Sequence, residues 1–201
     1  NLNHSYLVEQ FYDYTKIFKK LEKVVTKGDY TLGEEVNRFE KNIRKLMGSK
    51  YAIAVGNGTD ALYLVLKSLD IGKGDEVITT PFTFIATVGS IVTAGAKPVF
   101  ADIKNDYNID ENKIEEKITK KTKLIIATSI FGQCSQIDEI NAIAQKHSLP
   151  VIEDAAQSLG ATYKGKKSCN LTLIGCTSFF PSKPLGCYGD GGACFTNDQE
   201  L

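Results

Sequence analysis

From residue 51 onward the chain alternates short, unbroken apolar runs with longer stretches whose apolar residues recur every three or four positions. Unbroken runs of four or five residues fit strands buried on both faces, and the longer spacing fits helices laid against them. The runs at 51–55, 77–80, 98–101, 124–128 and 150–153 predict strands. Between them, 59–69 (apolar at 62, 65, 66 and 69), 84–94, 112–118 and 136–147 predict helices. Such alternation predicts an α/β fold: a three-layer sandwich whose mostly parallel mixed sheet carries helices on both faces. Ligands of these sheets bind at the carboxyl ends of the strands, so the residues that follow each strand are where chemistry is expected.

The pattern changes after Gly160. Ile174-Gly-Cys-Thr-Ser178 and Ala193-Cys-Phe-Thr196 read as strands with no helix between them, which predicts some antiparallel pairing. The first 48 residues read as helical, broken at Gly28-Asp-Tyr-Thr-Leu-Gly33. The expected organisation is an N-terminal helical segment at 1–33 and a larger α/β domain at 34–201. The last residues, Asn197-Asp-Gln-Glu-Leu201, resemble a capped helix start, so the sequence is expected to be a fragment of a longer chain.

Composition narrows the function classes. Basic and acidic residues balance at 24 each, so neither nucleic acid nor an anionic membrane is the expected partner. No apolar stretch reaches membrane-spanning length, and Asn1-Leu-Asn-His-Ser-Tyr-Leu7 lacks the layout of a secretory signal. The five cysteines, Cys134, Cys169, Cys176, Cys187 and Cys194, are odd in number and form no C-x-x-C, which fits reduced thiols in a cytoplasm. With His4 and His147 the only histidines, no histidine-rich metal site is expected.

Four segments carry candidate chemistry. Gly56-Asn57-Gly58-Thr59-Asp60-Ala61 lies between a strand and a helix, where glycines admit close backbone approach and a helix N-terminus offers free N–H groups to a phosphate. The same letters match the loose dinucleotide fingerprint G-x-G-x-x-A, with Glu76 twenty residues after Gly56. Glu76 precedes its strand, however, whereas a ribose-binding acid belongs at the strand's carboxyl end. A plain tight turn explains the segment equally well. Phe84 follows the next strand and suits stacking on a flat ring, although a core role fits a lone phenylalanine too. Asp154, in Glu153-Asp154-Ala155-Ala156-Gln157, ends a buried-type strand, where a carboxylate needs a cationic partner. The protonated nitrogen of pyridoxal 5'-phosphate is one, with Gln157 beside the ring's phenolic oxygen; taken alone, a helix cap accounts for Asp154 better. Ser178 adds a hydroxyl for a phosphate. Lys183 lies among apolar and glycine-rich residues, an unusual setting for a solvated lysine, and suits a covalent attachment point and a general acid/base.

Taken in order, these segments resemble the DegT/DnrJ/EryC1/StrS family of pyridoxal phosphate-dependent nucleotide-sugar aminotransferases, of the aspartate aminotransferase-like fold. The likeness runs from about Gly28 to Thr196. It is carried by Gly28-Asp-Tyr-Thr-Leu-Gly33, Gly58-Thr-Asp-Ala-Leu62, Gly74-Asp-Glu-Val-Ile-Thr-Thr-Pro-Phe-Thr-Phe84, Ala94-Gly-Ala-Lys-Pro-Val-Phe100, Glu153-Asp-Ala-Ala-Gln157 and Ser178-Phe-Phe-Pro-Ser-Lys-Pro-Leu-Gly-Cys-Tyr-Gly-Asp-Gly-Gly192. The resemblance implies that Lys183 is the Schiff-base lysine, Asp154 the partner of the pyridine nitrogen and Gln157 the contact to the ring oxygen. It makes Gly58, Thr59, Asp60 and Ser178 the phosphate site and Phe84 the stacking ring. Related sugar dehydratases replace the lysine with histidine, so Lys183 favours transamination. Ile130-Phe-Gly-Gln-Cys134 and the segment 179–188 are similar to the branch acting on UDP-linked 3-keto-hexuronates. Glutamate as amino donor, a UDP- or dTDP-linked keto-sugar as acceptor, a homodimer and a C-terminal small domain follow from the resemblance. The rival readings are a dehydratase relative and a non-catalytic pyridoxal phosphate-fold protein or inactive fragment.

Overall fold

The computed structural model describes residues 6–201. His4 and the start of the segment read as helical and free of a signal lie outside the described residues. Three helices come first: α1 (Leu7–Gln10), α2 (Tyr14–Lys27) and α3 (Glu34–Met47). The core then alternates β1 (Tyr51–Val55), α4 (Gly58–Ser68), β2 (Glu76–Thr79), α5 (Ile85–Thr93), β3 (Lys97–Phe100), β4 (Thr122–Thr128), α6 (Ile137–Lys146) and β5 (Val151–Asp154). A two-stranded hairpin, β6 (Thr162–Tyr163) and β7 (Lys166–Lys167), precedes β8 (Ile174–Ser178) and β9 (Gly192–Thr196).

Seven strands form one sheet in the order β1-β9-β8-β5-β4-β2-β3. Neighbours from β8 to β3 pair in parallel, and β9 runs against both β8 and β1. The fold is therefore α/β with a mostly parallel mixed sheet, and the antiparallel pairing expected after Gly160 is the insertion of β9. β1, although first in sequence, reaches the sheet only through β9.

Strand side chains alternate between two cores, as a period of two requires. Val77, Leu124, Ile126, Ile152, Ile174 and Cys176 face one side, where they meet Ala61, Leu62, Val65 and Leu66 of α4 and Ile91 of α5. Ile78, Ile125, Ala127 and Val151 face the other, against Ile137, Ile140 and Ala144 of α6. On that second side Ile43 and Met47 of α3 cover Ala52, Ala193 and Phe195 at the β1–β9 end. Each fully buried leucine or isoleucine contributes about 1.5–3 kcal/mol. Among the described residues no helix is long and apolar enough to cross a membrane.

One predicted helix is absent. Residues 112–118 form two short 3-10 turns, Glu111–Lys113 and Glu115–Lys117. Ile114 is the buried anchor of this stretch, and Asp110 caps its start by accepting from the Asn112 N–H at 3.0 Å. One apolar anchor over two turns does not offset the cost of nucleating an α-helix, and Ile118 leaves in an extended conformation.

The N-terminal helices bear on the loop that follows β8. Tyr188 stacks between Phe11 and Phe18, with ring centroids 4.8 and 5.9 Å away, and Gln10 Nε2 donates to the Lys183 carbonyl at 3.2 Å. Without a strand or helix of its own, the lysine-bearing loop takes its shape from these contacts and from its own turn, in which the Lys183 N–H reaches the Phe180 carbonyl at 2.8 Å.

Candidate active site

The carboxyl ends of β1, β4, β5 and β8 and the amino end of β9 meet at one edge of the sheet, around a cavity of about 560 Å³. Gly58, Thr59, Asp60, Phe84, Asp154, Gln157, Ser178 and Lys183 all line it. Segments more than a hundred residues apart in sequence are thus brought to one place. Glu76 is not among them. It sits at the amino end of β2, where its carboxylate accepts from Thr119 Oγ1 at 2.7 Å and Lys97 Nζ at 3.1 Å. The dinucleotide reading of the Gly56 segment has no acid to use.

One end of the cavity is the start of α4. Asn57 caps the helix: its Oδ1 accepts from the Asp60 N–H at 2.8 Å, and its Nδ2 donates to Asp60 Oδ2 at 3.0 Å. Both polar parts of Asp60 are therefore engaged in this reciprocal cap. Asp60 lines the site but has no backbone N–H left for an anion; its contribution is to fix the turn. The N–H groups of Gly58 and Thr59, at the first two helical positions, remain for an anion at the positive end of the helix. Two glycines allow the turn to press against the strands. A methyl on Gly58 would lie 2.8 Å from Ser178 Cβ, and one on Gly192 would lie 2.4 Å from the Asn57 carbonyl. Ser178 thereby comes alongside the open helix end, its Oγ accepting from the Phe180 N–H at 3.2 Å.

Asp154, the last residue of β5, is 5% exposed. Its Oδ2 accepts from Thr87 Oγ1 at 2.7 Å and its Oδ1 from the Ala156 N–H at 3.2 Å. Burial pushes its carboxyl up, while those two donors and the charge of Lys183 pull it down; burial wins. Among the described residues it has no ion-pair partner within 4.0 Å, although Lys183 lines the same cavity and its charge reaches Asp154. Lys183, half-buried and lining the same cavity, likewise has no ion-pair partner within 4.0 Å among the described residues. Burial pushes its ammonium down from the usual lysine range against the opposing pull of Asp154, and the net direction is down. A larger share of neutral, nucleophilic amine results.

Gln157 and Phe84 complete the walls. The Phe131 N–H donates to Gln157 Oε1 at 3.2 Å, which leaves the Gln157 amide hydrogens for the cavity. Phe131 achieves this with a left-handed backbone (φ 54°), a strain of about 1 kcal/mol. Phe84 caps α5 and is 66% exposed, so its ring is available to a flat ligand rather than packed in the core.

Glu153, next to Asp154 on β5, points to the opposite side of the sheet and does not enter the cavity. It is fully buried; Ser129 Oγ and Ser168 Oγ each donate to its Oε1 at 2.8 Å, and the Cys169 N–H donates to Oε2 at 2.8 Å. Those bonds tie the 158–170 segment to the strand that carries Asp154. Glu153→Ala would leave three buried donors unmatched, and we expect a loss of about 3 kcal/mol or more in chemical denaturation. A change under about 1 kcal/mol would show that water replaces the carboxylate.

Three residues escaped sequence reasoning. Asn57 is the cap that sets the phosphate-type turn, and Thr87 and Thr83 stand behind Asp154. The signal for Thr87 was a polar residue within the apolar stretch of α5, three positions after Phe84. Among the described residues no cluster of three or more His, Cys, Asp or Glu side chains is arranged to hold a metal ion.

The model of the DegT/DnrJ/EryC1/StrS aminotransferase family matches residues 12–201. The chain is 56% identical over 187 residues to the UDP-2-acetamido-2-deoxy-3-oxo-D-glucuronate aminotransferase of Pseudomonas aeruginosa, an alignment covering 92% of this chain and 52% of that protein. A crystal structure of a DegT DnrJ EryC1 StrS aminotransferase from Brucella abortus superposes with a TM-score of 0.95 at 39% identity, covering 100% of this chain and 56% of that one. NtdA from Bacillus subtilis, solved with bound cofactor PMP, superposes with a TM-score of 0.88 at 36% identity, over 93% of this chain and 42% of that one. The chain thus spans about half the length of the relatives it matches.

Proposed function

Since the chain belongs to the DegT/DnrJ/EryC1/StrS aminotransferase family, we propose that its cavity holds pyridoxal 5'-phosphate and serves the transfer of an amino group from glutamate to a UDP-linked 3-keto-hexuronate. The observation that carries this reading is that a half-buried lysine amine and a buried carboxylate line one cavity and feel each other's charge, with no ion pair within 4.0 Å formed by either among the described residues. The groups present fit the cofactor: an open helix end for a phosphate, an acid for a protonated ring nitrogen, an amide for a phenolic oxygen, an exposed aromatic for a flat ring and an amine for an aldehyde.

When bound, the cofactor supplies an electron sink for charge developing at the reacting carbon. The chain's residues do the rest. The Gly58 and Thr59 N–H groups, with the Thr59 and Ser178 hydroxyls, would hold the phosphate, and Asn57 and Asp60 keep that turn closed. The Asp154 carboxylate would accept the ring N–H and favour the protonated nitrogen. Gln157 would donate to the ring oxygen, and Phe84 would offer its face to the ring. Lys183 Nζ would be the covalent anchor and the base that moves a proton at the substrate carbon. In net terms glutamate becomes 2-oxoglutarate and the sugar ketone becomes an amine, so nitrogen, hydrogen and electrons balance without a further reagent.

The reading includes a cytoplasmic homodimer whose amino-sugar product feeds surface polysaccharide synthesis, and a large domain at 34–201 completed by a C-terminal small domain. The test incubates the purified protein, expressed from its full reading frame, with pyridoxal phosphate, glutamate and a panel of UDP- and dTDP-linked keto-sugars. Mass spectrometry should show an aminated UDP-linked hexuronate with one 2-oxoglutarate released per amine formed. Turnover of dTDP-sugars alone would replace the acceptor class, and cofactor binding with no turnover across the panel would overturn the transfer reading.

A further inference from the structure

Asp154 is gripped by a hydroxyl from outside its own strand, and that hydroxyl is itself oriented. Thr87 is fully buried on α5, and its Oγ1 lies 2.7 Å from Asp154 Oδ2. Thr83 Oγ1 lies 2.7 Å behind it, and Thr128 Oγ1 lies 3.4 Å behind Thr83. Each hydroxyl has a single proton. If Thr87 donates to the carboxylate it must accept from Thr83, which fixes the direction of the chain.

The neighbouring buried hydroxyl on the same helix shows the ordinary alternative. Ser90 Oγ turns back to its own helix and donates to the Thr87 carbonyl at 3.0 Å, the usual outlet for a serine or threonine inside a helix. Thr87 forgoes that bond and spans to another element.

We propose that Thr87, oriented by Thr83, is a positioning residue that holds the Asp154 carboxylate in place for the ring nitrogen of the cofactor. The inference rests on the pyridoxal phosphate reading of this cavity. Of the charged groups around it, Lys183, which lines the same cavity, acts on Asp154, and the Asp154 charge in turn pushes up the Cys176 thiol on β8 and the Glu153 carboxyl on the other face of β5.

The test compares Thr87→Val, Thr87→Ser and Thr83→Val with the wild type and with Asp154→Asn. Pyridoxal phosphate affinity is measured by equilibrium dialysis, and the bound cofactor's visible-edge absorbance is titrated with pH. Thr87→Val should bind the cofactor about tenfold more weakly, the loss of one hydrogen bond to a charged group. Its titration midpoint should move up, because a less firmly protonated ring withdraws fewer electrons from the cofactor–lysine bond. Thr87→Ser should restore both quantities, and Thr83→Val should move both in the same direction by less. A Thr87→Val protein with wild-type affinity and midpoint overturns the inference and leaves the cofactor reading standing. If Thr87→Val does not fold, Thr83→Val decides, and unchanged affinity and midpoint there overturn the inference equally. Failure of the cofactor reading has a different signature: no absorbance band in the wild type, or Asp154→Asn binding as the wild type does.

Discussion

Lys183→Ala is expected to abolish the visible-edge absorbance of bound pyridoxal phosphate and to lower amine transfer by at least about 10³-fold, since it removes both the covalent anchor and a proton-transfer group. The amine is half-buried and unpaired among the described residues, so no ion pair within the chain is lost with it. The loop keeps its turn through backbone atoms and through Tyr188. The melting temperature should therefore stay within a degree or two while activity collapses. Cofactor should still associate through the helix end and Asp154 but wash out on dialysis. Lys183→Arg should fail as thoroughly, because a guanidinium keeps its charge and forms no such bond. Retention of the band in Lys183→Ala would move the anchor to another residue.

Asp154→Asn should separate activity from stability. The exchange preserves shape and removes a charge, and one preorganised charged group in a buried site contributes roughly 10²–10³-fold to rate. Burial holds the Asp154 carboxyl above its ordinary range. Such a group costs stability wherever it is ionised, above its folded pKa, and the native state gains stability as pH falls through that pKa. Removing the charge should leave the cofactor-free melting temperature at neutral pH equal or higher, while kcat falls. The same variant should also flatten the rise in stability on acidification. A marked drop in melting temperature alongside the lost activity would recast Asp154 as a structural acid.

Local pattern carried the α/β alternation because buried strands are nearly continuous apolar runs and helices keep their spacing. It did not carry strand order. Nothing in 51–55 announces a partner at 192–196, since pairing at an edge is decided by the packing of Ala52, Ala193 and Phe195 under α3. The segment at 112–118 has helical letters, but tertiary burial of Ile114 alone was too little to wind it. In the site, Lys183 and Asp154 were singled out from sequence by their residue type and neighbours, and the fold brings both to one cavity. Roles set by hydrogen-bond direction were not. Asp60 reads as an anion-site residue until its N–H and carboxylate are both found on Asn57, and Thr87 reads as a helix filler until its hydroxyl is traced to Asp154.

The attachment of β1 through β9 has a temporal consequence. During synthesis β1 and the Gly58 turn emerge early, yet neither has a place in the sheet until β9 has been made. Closing so long a loop adds little to the equilibrium cost, about 0.6 kcal/mol per doubling of length, but long-range pairing of this kind is slow. Until then the edge of β8 that β9 will occupy stays open, a template for pairing with other chains. The proposed phosphate site lies on the seam where β1 and the Gly58 turn meet β8 and β9, so an anion that bridges Gly58 and Ser178 would favour the joined state.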